Sequence, residues 1–253
     1  MKQARKEDAT IRVVSYNIQG QAARRRAGHL EQIAQTILAL QPDIVGLQEV
    51  HRNTSRSRGE DQAETLERLT GMTMFFGRSC ANWGGEYGNA VLTRGKVVSS
   101  TVHCLPGAGE PRSVAEAVLR FGDLDVAFLV AHLSAWGWFL RKTRREQMNV
   151  IAGLTRSRVG PYILVGDFNA PPGAREICQF VANSHLRVCD SHAEPTYGTL
   201  RQRLDYVFSD PGWRTVHSEV VRTGPSDHWP ILVELERIES ASSASSLKSN
   251  EAE

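Results

Sequence analysis

Two hydrophobic rhythms alternate along the chain. TIRVVSYNIQG, DIVGLQEV, TMFF, GNAVLTR, KVVSSTVHCL, SVAEAVLRF, DLDVAFLVAHL, YILVGD, RLDYVFS, TVHSEVV and WPILVELE are short β-rich runs bounded by turn residues, and each predicts a strand. DIVGLQEV is almost continuously apolar, the pattern of a strand buried on both faces. In HLEQIAQTILAL, Leu30, Ile33, Ile37 and Leu40 share one helical face, and Gln41-Pro42 ends the helix. AETLERLTG, the stretch from about Leu140 to Thr155, and REICQFVANS predict three more helices. GNAVLTR and KVVSSTVHCL read as a hairpin turned near Arg94-Gly95, and SVAEAVLRF and DLDVAFLVAHL as another joined at Gly122-Asp123. Strands interleaved with four helices predict stacked sheets flanked by helices, as one domain or two packed ones. SASSASSLKSNEAE has no periodicity, so residues 238–253 are expected to form a disordered tail.

Composition narrows this little. With 253 residues, 41% apolar and 23% charged, the chain can bury a core without disulfides or a structural metal, which excludes wholly disordered, collagenous and coiled-coil classes. A net charge of +2 forces neither a nucleic-acid nor a membrane partner. The basic clusters Arg24, Arg25 and Arg26, then Arg52, Arg56 and Arg58, then Arg141, Lys142, Arg144 and Arg145 read as solvated faces. Four cysteines without metal-type spacing read as free thiols of a reducing compartment. The opening MKQARKEDATIRVV lacks a separate apolar segment, and no apolar run approaches a membrane span, so a cytoplasmic location without stable membrane insertion is expected.

The chemistry lies where polar groups interrupt strand logic, since apolar strand ends tolerate them only when something satisfies them. Asp167 and Asn169 follow YILVG; on extended backbone both would point at one target while Phe168 packs the other side, the bland reading being an Asx turn. Glu49 after IVGLQ is a natural ligand for a hard cation or else a solvated loop residue. Asn17 after RVVSY offers a carbonyl to a metal or an amide to phosphate, or simply turns the chain. His228, in TGPSDHWP beside Asp227, could donate to a phosphoryl oxygen or move a proton, with Asp205 fixing its tautomer, unless Asp205 pairs with Arg203. His132 after VAFLVA, taken alone, reads more often as a satisfied core histidine than as a catalyst. Together they suit metal-assisted hydrolysis of a phosphate ester.

The segments VVSYNIQG, IVGLQEV, YGNAVLTR, VAHLS, ILVGDFNAPP, RLDYVF and GPSDHWPI, in this order over residues 11 to 236, resemble the endonuclease/exonuclease/phosphatase superfamily. The resemblance implies a four-layered α/β sandwich, with two central, mainly antiparallel sheets flanked by helices. It also implies in-line attack of water on phosphorus with Mg²⁺, replaceable by Mn²⁺. By the same resemblance Glu49 is the principal metal ligand, with Asn17 beside it and Asp227 as a ligand or a group near the metal. Asp167 orients or deprotonates the water, Asn169 holds the phosphate, His228 contacts the scissile phosphoryl group and Asp205 orients it. His132 steadies the phosphoryl group with Glu86 as its implied partner, and Asn89 lines the site. One site drawn from both halves implies a single catalytic domain over residues 10–237.

Substrate choice in such a scaffold lies in the loops. SRSRGEDQ could face a phosphate backbone, RSCANWGGE presents Trp83, and SAWGWFLRKTRR puts Trp136 and Trp138 beside a basic helix start. Aromatics beside arginines suit nucleic acid, a lipid headgroup, or the plain pinning of a helix. The leading reading is a monomeric Mg²⁺-dependent nuclease or nucleic-acid-end phosphodiesterase. The alternatives are a lipid or small-molecule phosphoesterase of sphingomyelinase or inositol-phosphatase type, and a non-catalytic binding module. The intact polar set argues against the last.

Overall fold

The computed structural model describes residues 10–135, 137–158, 160–190 and 194–238. In chain order the elements are β1 (Thr10–Asn17), α1 (His29–Leu40), β2 (Ile44–Arg52), α2 (Gln62–Thr70), β3 (Thr73–Asn82), β4 (Gly85–Thr93), β5 (Lys96–Leu105) and β6 (Arg112–Phe121). They continue with β7 (Leu124–His132), α3 (Arg141–Arg156), β8 (Tyr162–Asp167), α4 (Arg175–Ser184), β9 (Arg187–Val188), β10 (Asp205–Ser209), β11 (Trp213–Val220) and β12 (Ile231–Arg237). All four helices lie where the hydrophobic spacing puts them. α1 stops at Gln41, whose φ of 49° leaves helical backbone just before Pro42.

Alternation sorts each strand's apolar residues onto two faces. Val13, Ile44, Val91, Phe128, Val165, Val207 and Val233 meet in one apolar layer between two sheets. Their neighbours Val14, Val45, Leu47 and Leu92 pack beneath Ile33 and Ile37 of α1 and Leu66 of α2. Leu129, Leu164 and Phe208 pack beneath Met148 and Ile151 of α3 and Ile177 and Phe180 of α4. Three apolar layers thus separate helices, sheet, sheet and helices, a four-layered α/β sandwich.

Each sheet has six strands, ordered β11-β12-β1-β2-β4-β3 and β5-β6-β7-β8-β10-β9. Among the described residues, only the β1–β2 and β7–β8 pairs are parallel. The sheets approach closely at Gly46, where a Cβ would lie 2.3 Å from Val165 Cγ2 and 2.9 Å from Val130 Cγ2.

One expectation is overturned. β4 and β5 do not form a hairpin; they lie in different sheets. Both edges of β4 are already taken by β2 and β3, so the chain crosses at Arg94-Gly95 and β5 pairs with β6 instead. The β6–β7 hairpin does form, its turn passing through Gly122 at φ 58°. The four cysteines are free. Among the described residues no helix is long and apolar enough to cross a membrane. The expected tail, apart from Ile238, lies outside the described residues.

Candidate active site

At one end of the inter-sheet layer the same alternation continues in polar residues. Asn17 follows Ile11 and Val13 in parity on β1, His132 follows Phe128 and Val130 on β7, and Asp167 follows Ile163 and Val165 on β8. Asp205 precedes Val207 in the same way on β10. Register aligns three of them side by side: Asp167 lies opposite Asp205 in the antiparallel pair and beside His132 in the parallel one. The mouth of the sandwich is therefore polar because four strands each end on a residue facing inward.

Glu49 arrives by a different device. Simple alternation would place it on the face of Val45 and Leu47, beneath the helices. A β-bulge between Leu47 and Val50 interrupts pairing with β4, Glu49 takes φ 62°, and Val50 returns to the helix-facing side. The extra residue turns Glu49 into the cleft, which has a volume of about 330 Å³.

The side chains are tightly linked. Asn17 Nδ2 donates to Glu49 Oε1 at 3.2 Å and to Asp167 Oδ2 at 3.1 Å, while its Oδ1 accepts from Gln19 N at 3.1 Å. Gln19 Nε2 donates to Asp227 Oδ2 at 2.7 Å. His228 Nδ1 donates to Asp205 Oδ2 at 2.8 Å, and its Nε2 lies 3.7 Å from Asp167 Oδ2. His132 Nε2 approaches the same Asp167 oxygen at 3.6 Å. Asn169 has φ 51° rather than extended backbone, and its N–H donates to Asp167 Oδ1 at 2.9 Å, forming an Asx turn. The turn and the functional placement coexist, since the turn holds the carboxylate still. Phe168 packs away from the cleft against Phe180, Tyr206 and Phe208.

Electrostatics separate the acids and histidines. Burial, with the nearby Asp205 carboxylate, pushes Asp167 up to about 7, although His228 and its hydrogen bonds pull it back. Burial also raises Glu49, against the opposing hydrogen bond from Asn17. Burial by itself lowers His228, but the carboxylates of Asp205 and Asp167 outweigh it and raise it to about 10. His132 falls well below its ordinary value through burial and then the Arg112 guanidinium. Arg112 Nη1 lies 3.0 Å from His132 Nδ1. A guanidinium cannot accept, so that Nδ1 does, and the proton of neutral His132 sits on Nε2, facing Asp167.

Three expectations need correction. Glu86 does not partner His132; alternation turns it to the opposite face, where it pairs with Arg78 at 3.2 Å and Arg52 at 3.9 Å. The next residue, Tyr87, reaches His132 instead, its hydroxyl 3.5 Å from Nδ1. Asn89 does not line the cleft: it is buried between the sheets and donates to Ser113 O at 2.9 Å. Asn17 presents its amide nitrogen to two carboxylates, so here it bridges acids rather than offering an oxygen to a cation. Trp136 lies outside the described residues; the backbone of Trp138 opens a short 3-10 helix, Trp138–Leu140. The competing pairing of Asp205 is settled by Arg203, which bonds Asp190.

Sequence reasoning missed Tyr87, Arg112, His51 and Tyr197, all of which line the cleft. Tyr197 packs its ring 4.8 Å from that of His228. His51 packs against Trp83 and Tyr87 and is lowered to about 4 by burial and Arg56. The inward parity of Tyr87 and the nearness of Arg112 to His132 across the β6–β7 hairpin were available in the strand pattern; the contacts of His51 and Tyr197 depend on packing distant segments.

The donor set fits a hard divalent cation. Asp167, Asp205 and His228 offer atoms all within 4.8 Å of one another, and Glu49 and Asp227 line the same cleft. Among the described residues, no lysine or arginine forms an ion pair with any of these four carboxylates. His228 offsets part of the charge of Asp167 and Asp205, while among the described residues Glu49 and Asp227 have no such partner, and a Mg²⁺ or Mn²⁺ ion would compensate them.

A sandwich that gathers acids and histidines at the open end of its inter-sheet layer has the plan of a hydrolase scaffold. The model of the endonuclease/exonuclease/phosphatase family matches residues 14–228, and the chain belongs to that family. Members of this family are hydrolases, mostly metal-dependent phosphoesterases. An endonuclease/exonuclease/phosphatase from Beutenbergia cavernae superimposes with a TM-score of 0.80 at 26% identity, over 90% of this chain and 72% of that one. The mannosyl-6-phosphatase of Bacteroides thetaiotaomicron gives a TM-score of 0.72 at 21% identity, over 89% and 99% of the two chains. The human Nocturnin catalytic domain with bound sulfate gives 0.72 at 22%, over 90% and 94%. The last two likenesses bear on the fold alone. No curated protein matches the chain in sequence.

Proposed function

We propose that the chain is a monomeric, divalent-metal-dependent phosphodiesterase that attacks phosphorus in line with water, its substrate a nucleic acid or nucleic-acid end. The observation that carries this reading is the pairing of His228 with Asp205 at 2.8 Å, with the far ring nitrogen turned toward Asp167 beside the Asn17–Glu49 bridge. Glu49 and Asp227, with Asn17 orienting Glu49, would hold Mg²⁺, whose charge offsets the negative charge that builds on the phosphoryl group. Asp167, raised toward neutrality, accepts a proton from the attacking water. His228, kept protonated by two carboxylates, donates its Nε2–H to a phosphoryl oxygen. Neutral His132 supplies a further donor at the same position, beside Asn169, whose amide donates to Leu133 O at 3.2 Å.

A second reading, a small-molecule phosphoesterase, is favoured by the size of the cleft: about 330 Å³ lies at the low end for ligand pockets. A Mg²⁺-supplemented panel of single- and double-stranded DNA, RNA, 5′-blocked oligonucleotides, sphingomyelin, inositol phosphates and sugar phosphates separates the two. Turnover of oligonucleotides above all other substrates is expected. Turnover confined to phosphomonoesters or lipids would overturn the nucleic-acid reading.

A further inference from the structure

Two basic segments that lie about thirty positions apart in sequence meet beside the catalytic cleft. Arg24 ends the short 3-10 helix Gly20–Arg24, Arg25 and Arg26 follow it, and Arg56 lies in a second one, Ser55–Ser57. Together with Gln19 and Gln21 they line a groove of about 590 Å³. Gln21 and Arg56 line both this groove and the catalytic cleft, so the two cavities adjoin.

The groove is anchored to the catalytic machinery. Arg26 Nη1 donates to Pro225 O, in the loop that carries Asp227 and His228, and Gln19 bonds Asp227 at 2.7 Å. Arg56 is laid flat on Trp83, its guanidinium carbon 3.8 Å from the ring centroid. Among the described residues, Arg24, Arg25 and Arg56 form no ion pair with a carboxylate, whereas about half of the other arginines do. Four guanidinium groups converging without countercharges repel one another, and an anion in the groove removes that cost.

We propose that this groove is a second phosphate-binding subsite, which takes a backbone phosphate of a single-stranded nucleic acid whose neighbouring phosphodiester occupies the cleft. The proposal rests on the phosphodiesterase reading of the cleft and adds to it a site for the neighbouring phosphate. Nucleic acid is favoured over a small phosphoester because the groove adjoins the cleft, sharing Gln21 and Arg56 with it, so that neighbouring phosphates of one strand can occupy both at once. A phosphoester with one phosphate fills the cleft and leaves the arginines unmatched.

The test uses the full chain and the double variant Arg24→Ser/Arg25→Ser, both exposed positions outside the catalytic cleft. Fluorescence anisotropy of a labelled single-stranded oligonucleotide gives Kd against salt, independent of turnover. Hydrolysis of a bis-aryl phosphate in Mg²⁺ reads the cleft alone. The double variant is expected to bind the oligonucleotide at least about tenfold more weakly, and its log Kd against log salt should flatten by about 0.7 for each phosphate that the arginines no longer neutralise. Its kcat/KM on the bis-aryl phosphate should stay within about twofold of the wild type. Unchanged oligonucleotide affinity, or no binding by the wild-type chain, overturns the subsite even if the bis-aryl phosphate is cleaved. Oligonucleotide binding that depends on Arg24 and Arg25, with no hydrolysis of either substrate, keeps the subsite and instead sinks the phosphodiesterase reading.

Discussion

Asp167 is the residue on which most of the site converges: Asn17, Asn169, His132 and His228 all approach its carboxylate. Replacing it with asparagine keeps the shape and removes the proposed base, and His228→Ala removes the proposed phosphoryl donor. Each variant is expected to retain the wild-type circular dichroism spectrum and lose at least about 10²-fold in kcat on a bis-aryl phosphate. A loss below about threefold would remove that residue from the mechanism. The raised value of Asp167 also sets a pH dependence. The unfolded carboxyl titrates near 3.8 and the folded one near 7, so between them the folded chain holds the extra proton. Its contribution to the stability of the metal-free protein therefore falls as pH rises through that window. His228 acts in the same direction over a later window, because its stabilisation is complete below 6.5 and is lost as pH approaches 10. Lowered His132 and His51 act in the opposite direction below pH 6.5, so the thermal melts in EDTA from pH 4 to 9 compare the wild type with Asp167→Asn, and the stability contributed by Asp167 should fall between pH 4 and 7. A difference between the two proteins that stays flat or grows over that range would contradict the assignment.

At the level of strands and turns, the period-two pattern already carried much of the site. Counting parity from Val13, Val130, Val165 and Val207 puts Asn17, His132, Asp167 and Asp205 on one face, and the structure joins them there. What the pattern did not carry were the places where backbone leaves its period. The bulge at Glu49 and the left-handed turn at Asn169 are single-residue departures, held by pairing with β4 and by the Asp167 carboxylate. The β4–β5 crossover was illegible for a related reason: nearness in sequence favours a hairpin, but both edges of β4 were occupied. Gly46 marks where the sheets come closest, and Gly46→Ala forces a methyl group against Val165 and Val130. Urea denaturation should show a loss of about 1–3 kcal/mol from overpacking. An unchanged midpoint would mean that the sheets separate more easily than this packing implies.

For the whole molecule, the cleft is a property of the sandwich rather than of either sheet. Glu49 and Asn17 come from one sheet, His132, Asp167 and Asp205 from the other, and His228 from the loop leading into β12. Tyr87 could not be assigned to His132 from sequence, because that contact spans 45 positions and joins strands of different sheets, whereas Arg112 meets His132 across the β6–β7 hairpin. Net charge misled in a similar way: +2 overall conceals an acidic mouth beside an arginine groove. A cation bound at the mouth competes with protons on the raised Asp167 and Glu49. Saturating Mg²⁺ should thus raise the melting temperature more at pH 8 than at pH 5. An equal or reversed increment would place the ion elsewhere.

The central claim is that these carboxylates and histidines hydrolyse a phosphodiester with a divalent ion. The most direct measurement is hydrolysis of a bis-aryl phosphate by the purified full chain, stripped with EDTA and then restored with Mg²⁺, with Asp167→Asn in parallel. The account expects no turnover in EDTA, recovery on adding Mg²⁺ or Mn²⁺, and no recovery in the variant. Turnover that persists in EDTA, or that survives in Asp167→Asn, would contradict it.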